Sequence, residues 1–298
     1  MGLGTHRSGE EATPLPDVAP VDRLLHLLCA SSLLLGLLLV WEATHQQSCW
    51  ALAAPSLVYV FVFCGLLAHR LERKRFAVDF YIDRESPWRK QVRGRWLPTV
   101  IAFVGALPLV VVLAVFVALS RSTDWVFLVV ATAVAPLLFA GASIWPGRHI
   151  RRDGDTGWRA PAVADILSGR LAGWVLLTLL VGAYAYFNYT RIPGPGQDIF
   201  PASLQLTVGA FADPVSSECG VVESGLRAAA AFEGISWWLV THAATAVWMP
   251  KGIKVLVWAV FFLNTALAFG GFVRGLEGVV LLARRVACFN RYGEADVG

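Results

Sequence analysis

Charge is scarce in this sequence. Only 15% of its 298 residues are charged and 56% are hydrophobic, whereas a water-soluble domain carries about 25% charged residues. So little charge cannot clothe a surface of this size for water, and a soluble globular domain is excluded. Cysteine is scarce too: the five cysteines show neither CxxC spacing nor a Cys/His cluster, so a zinc site and a thioredoxin-like motif have no support and no metal site is assigned. Walker-type loops, GxSxG and HExxH are all missing, which leaves catalysis without a residue constellation and makes an enzyme the less favoured reading. No span carries arginine at every third position, as a voltage sensor would, and no inverted repeat of the secondary-transporter kind appears. Lysine and arginine gather in loops rather than along a helix face, so nucleic acid is set aside as a partner.

What the sequence does hold is apolar runs of membrane-spanning length. A spanning helix needs roughly 20 predominantly apolar residues, because every backbone polar group must find its partner inside the segment. Runs at 24–41, 50–69, 97–119, 125–145, 171–190 and 255–273 meet that length, and 228–249 is a seventh that contains Glu233 and His242. The fold class is therefore an all-α polytopic transmembrane protein of six to seven helices, with the lipid bilayer as its first partner. The stretch 24–41 reads as a retained first span rather than a removed signal peptide. Residues 1–20, with Pro14, Pro16 and Pro20, read as a disordered tail; 21–170 as a membrane domain of four helices; 171–250 as a separate module; and 251–298 as a last span with a basic tail lying on the membrane surface as an amphipathic helix.

Nine basic residues fall in 70–96 and five in 146–170, against none in 42–49 and one in 120–124. By the positive-inside rule the N-terminus and the two basic loops are cytoplasmic. If 228–249 spans, 18 basic residues lie inside and 7 outside; if not, 20 and 5. The count thus favours six spans by a small margin, while the short break Met249-Pro250-Lys251-Gly252 suits a tight helical hairpin, and both topologies stay open. The aromatic and basic loop 70–96 reads first as a topological signal and second as a surface for anionic lipid headgroups. The abundance of Ala, Leu, Val, Gly and Arg suggests a GC-rich bacterial genome and hence a bacterial inner membrane.

The stretch 191–250 is too long for a simple turn. Within it, 200–208 is an apolar run about half a membrane thick, flanked by Gly and Pro, the length of a re-entrant half-helix. Ser203-Leu204-Gln205-Leu206-Thr207-Val208-Gly209, followed by Asp213 and by Arg227–Gly234, resembles the pore helix, filter entrance and inner-helix start of the tetrameric potassium-channel pore module over about 80 residues. The resemblance implies a homotetramer conducting monovalent cations, with Thr207, Val208, Gly209, Ala210, Phe211 and Ala212 lining the axis by their carbonyls and Asp213 bracing the mouth. Gly209-Ala210-Phe211-Ala212-Asp213 holds one residue more than the family's filter, and Ala212 stands in place of its second glycine, so the implied filter is altered. The readings that follow are a cation pore with an altered filter, a pore-loop fold that no longer conducts, and an ordinary periplasmic loop.

Three further sets of residues are candidates. Ionisable groups inside a membrane are costly and so point to function, which singles out Glu233, placed at the solvated interface, and His242, placed deeper beside Trp238. Nine residues apart, they fall half a turn from facing each other and cannot line one surface. His26, His69 and His149 sit at the cytoplasmic ends of spans, where imidazoles at matching depth could hold a non-covalent haem or a quinone; the simpler reading makes them interfacial companions of Arg70 and Arg148. Cys49 and Cys219 both fall on the external side, where a disulfide could form. A non-conducting membrane subunit, an assembly factor and a redox subunit are the alternatives to a pore.

Overall fold

The six runs of spanning length each become a long helix. A computed structural model describes residues 20–81, 96–149, 160–191, 203–246 and 249–295, and its helices are α1 Pro20–Thr44, α2 Ala53–Tyr81, α3 Trp96–Leu119, α4 Ser122–His149, α5 Ala160–Arg191, α6 Leu204–Ala212, α7 Gly220–Thr245 and α8 Lys251–Ala295. A 3-10 turn, Cys49–Leu52, leads into α2, and no strand occurs among the described residues. Helices α1 to α5 and α8 are long and apolar enough to cross a membrane, so the chain is an all-α polytopic membrane protein.

Several helices outrun their apolar runs. α2 continues through Tyr81 and α5 begins at Ala160, within stretches expected to be loops, because polarity ends a span without ending a helix whose backbone bonds are internal. The expected tail 1–20 lies outside the described residues up to position 19, as do the basic-loop stretches 82–95 and 150–159.

Each span buries a narrow stripe and turns the rest outward. In α3 the buried residues Ala102, Ala106, Val110, Leu113 and Val117 recur every three or four positions, one helix face, while Phe103, Val104 and Leu107 stand exposed where lipid replaces a core. α8 differs: Ala268, Phe269, Phe272, Val273, Leu276, Val279 and Val280 are all buried, so this part of it is the central post of the bundle. Glycine makes the post fit. A Cβ on Gly278 would run into the Phe61 carbonyl of α2, and one on Gly65 would lie 2.7 Å from the Arg274 carbonyl, so α2 and α8 meet backbone to backbone, as small residues allow inside membranes.

Packing sets the direction of α8. Phe269 lies edge-on to Phe116 of α3 and Tyr184 of α5, with centroids 5.4 and 5.5 Å apart. Further along, Gly271 meets the Leu109 carbonyl and Glu277 meets Gly173. Going forward along α8 thus goes backward along α3 and α5. Five consecutive crossings alternate in direction, so α8 runs opposite to α5, and the chain between them begins and ends on one face of the bundle. α7 does not cross; the described spans are six, and the first and last helices start and end toward the opposite face. We call the face bearing α6 and α7 the cap side and the other the terminal side.

Candidate functional site

The cap is built from α6, α7 and the first half of α8. Ser203 starts α6 by accepting a hydrogen bond from the Leu206 amide at 3.2 Å, the usual role of an N-cap serine. α6 then lies along α7: Gly234 is buried, and a Cβ there would sit 3.2 Å from the Val208 Cα and 3.3 Å from the Thr207 carbonyl oxygen. The start of α7 is tied to the bundle at the α1–α2 connection. Cys49 and Cys219 form a disulfide with S–S 2.02 Å, the Glu218 amide donates to the Gln46 carbonyl at 3.0 Å, and the Ser217 hydroxyl donates to the His45 carbonyl at 2.7 Å. Val222 and Leu226 enter the core, and Trp237 packs edge-on to Phe261 of α8 at 4.8 Å. Oxidised protein is therefore expected to offer two fewer thiols to an alkylating reagent than reduced protein, counted by mass under denaturing conditions; equal counts would refute the bridge.

The residues resembling a channel filter take a different form. Thr207, Val208, Gly209, Ala210, Phe211 and Ala212 belong to α6, and Asp213 is its right-handed C-cap, whose amide donates to the Gly209 carbonyl at 2.9 Å. A filter needs successive carbonyls turned to an axis, whereas a helix spends its carbonyls on its own amides. A half-helix does form at Leu204–Ala212, positions 200–202 of the expected run lying outside the described residues, and it rests on α7 instead of lining the bundle.

Glu233 and His242 exchange the environments expected for them. His242 is exposed near the end of α7, its Nδ1 hydrogen-bonded to the Trp238 carbonyl at 2.9 Å and its ring stacked on Trp238 at 4.0 Å. Glu233 is partly buried between α7 and the connection of α3 to α4. Burial raises its carboxyl above the usual range; the Arg121 charge and a Trp237 hydrogen bond pull it down, and Asp124 pushes it up. The half-turn offset between the two residues explains why only one faces the bundle. A carboxyl with a raised native pKa holds its proton longer when the cap is docked, so docking is strongest on the acid side and weakens as pH rises from the ordinary carboxylate range to the raised value. Hydrogen exchange of α7 is expected to quicken across that interval, and Glu233→Gln to remove the dependence; an unchanged profile in the variant would place the titration elsewhere.

Among the described residues the most deeply buried carboxylate is Glu277, which pairs with Arg274 where the sequence pointed to the start of a surface tail. Arg274 Nη1 donates to Glu277 Oε2 at 2.6 Å, with 23% and 3% of the side chains exposed. Both lie in α8 within the span Lys251–Ala283, which runs well past 273. Instead of lying on the membrane surface, the stretch from Gly275 to Val280 is buried among α1, α2 and α5. Gly173 of α5 makes room for Glu277, because any Cβ there would overlap its Oε1, and the Arg274 guanidinium lies 5.9 Å from the Trp174 ring centre, within cation–π range.

The chain matches no family model, no curated protein and no solved structure. The side chains of His26, His69 and His149 lie outside the described residues, and among the described residues no three His, Cys, Asp or Glu side chains converge as a metal site would require. The signal for the central pair was present: Arg274 and Glu277 stand one turn apart inside the glycine-rich apolar run 268–283, and oppositely charged residues at that spacing pair on a helix.

Proposed function

We propose that the protein is a non-conducting membrane subunit of a bacterial inner membrane, holding a disulfide-tied cap on the periplasmic face. The observation that carries this reading is the course of the chain between α5 and α8: it starts and ends on one side, with the residues that resemble a filter wound into α6. A pore module of the potassium-channel kind needs its inner helix to cross the membrane beside the filter, and α7 stays on the cap side. The bundle centre is filled by Phe269, Phe272 and Leu276. The helix ends that lead into the basic stretches 70–96 and 146–170 lie toward the terminal side, which favours a cytoplasmic N-terminus, and a disulfide on the opposite side fits an oxidising periplasm.

Cation flux into liposomes containing the purified protein tests this. Potassium and sodium flux are expected to equal the leak of protein-free liposomes. Flux above that level, abolished by Gly209→Pro, would overturn the proposal in favour of a cation pore. For orientation, a membrane-impermeant reductant applied to intact spheroplasts is expected to open the Cys49–Cys219 bridge; protection of the bridge until the membrane is broken would reverse the assigned sides.

A further inference from the structure

Helix α8 is the central post of the bundle, and from Ala268 to Val280 every residue of it is buried except two. Those two are Gly270 and Arg274. They stand one turn apart on one helix face, so this stretch of the post opens outward through a single window. Nothing lies within 4 Å of a Cβ at Gly270, which leaves that end of the window bare of side chains. At Arg274, 23% of the side chain is exposed; Nη1 is bonded to Glu277, and no other acceptor meets the group among the described residues. The guanidinium keeps donors to spare.

Helix α5 forms one wall of the window. The Trp174 ring centre lies 5.9 Å from the Arg274 guanidinium, and the Trp174 side chain is exposed. Arg170, Trp174, Leu177 and Val181 are spaced four, three and four, which is one face of a helix. Arg170 is exposed at the terminal-side start of the span Gly169–Asn188, while Leu177 and Val181 are partly buried against the core. Passing inward from the terminal-side membrane surface, the seam therefore presents a cation, then an indole with a second cation beside it, then apolar side chains and bare glycine. A phospholipid of that leaflet has the matching order, phosphate first and acyl chain beyond.

We propose that this window binds one anionic phospholipid, its phosphate held by Arg170 and Arg274 and one acyl chain lying over Gly270. Two guanidinium groups against the one carboxylate of Glu277 leave a positive charge in excess, and basic residues between spans select anionic headgroups in this way. The usual interfacial belt accounts for Arg170 and Trp174. It does not account for a cation and a bare glycine on the innermost helix. The window shows one turn of α8, about 5.4 Å along its axis, while a helix is about 10 Å across, so an acyl chain suits it better than a partner helix. The proposal stands whether or not the chain conducts ions.

The test is native mass spectrometry of the full chain released from bilayers of equal parts dioleoyl-phosphatidylglycerol and dioleoyl-phosphatidylcholine. One phosphatidylglycerol is expected to stay bound in preference to phosphatidylcholine. Arg170→Gln, at an exposed position, is expected to lower that preference about fivefold, the worth of one basic residue near a headgroup. Gly270→Leu, where a Cβ meets no neighbour, is expected to fill the window and lower occupancy by either lipid several-fold. Lys251→Gln, exposed at the cap end of α8, is the control and should change neither. Unfolding in mixed micelles checks that each variant is folded. Equal retention of the two lipids by the wild type would overturn the proposal, as would retention unchanged in either window variant or a partner protein found in the window in place of lipid.

Discussion

Replacing Arg274 with leucine is expected to destabilise the bundle by about 3–5 kcal/mol, because it leaves the Glu277 carboxylate without its cation deep in the protein. Glu277 is only 3% exposed and its Oε2 takes the Arg274 hydrogen bond at 2.6 Å. Water cannot replace that partner inside the span, so the carboxylate's desolvation is left uncompensated by the guanidinium. The double variant Arg274→Leu, Glu277→Leu removes both charges together. It should recover most of the loss, since exchanging a buried pair for apolar side chains is often neutral or better. Arg274→Lys should fall between, keeping the charge while losing the planar group that faces Trp174. Unfolding in mixed micelles, followed by tryptophan fluorescence, reads all three. A double variant no more stable than the single would assign the cost to something other than the pair.

The second large effect is steric. Gly278→Ala would place a methyl group into the Phe61 carbonyl, a rigid backbone atom that cannot turn aside, so α2 and α8 must separate and lose contacts on either side. We expect about 3 kcal/mol, the upper end of overpacking penalties, and more for Gly278→Leu. Gly36→Ala and Gly182→Ala are the controls: nothing lies within 4 Å of a Cβ at either position, and alanine is the better helix former by roughly 1 kcal/mol. These two should be neutral or slightly stabilising in the same unfolding assay. If Gly278→Ala proved as mild as Gly182→Ala, the backbone contact would not be what joins α2 to α8.

Glycine therefore has opposite meanings at positions that look alike in sequence. Gly270, Gly271, Gly275 and Gly278 all fall in one apolar run, yet Gly271 abuts the Leu109 carbonyl while Gly270 has open space beside it. The difference depends on which neighbour lies opposite, and only packing supplies neighbours. The same holds for 228–249. Its apolarity alone allows a seventh span, and the charge count separates the topologies by two residues. The direction of α8 against α3 and α5 decides it, through contacts between residues more than 80 positions apart.

Composition and run length determined by themselves that this chain crosses a membrane as helices and roughly where, because hydrocarbon imposes one requirement on every segment independently: its backbone must be satisfied within itself. The cysteine positions determined as much for Cys49 and Cys219 as candidates for a bridge, since topology alone puts them on one side. Tertiary structure decided the rest. It wound the residues resembling a filter into α6, turned Glu233 inward and His242 outward, and drew Arg274 and Glu277 from an expected surface tail into the centre of the bundle. Those outcomes depend on which faces meet, and a helix's own hydrogen bonds are indifferent to that; the choice falls to side-chain fit, charge pairing and the close approach that glycine permits.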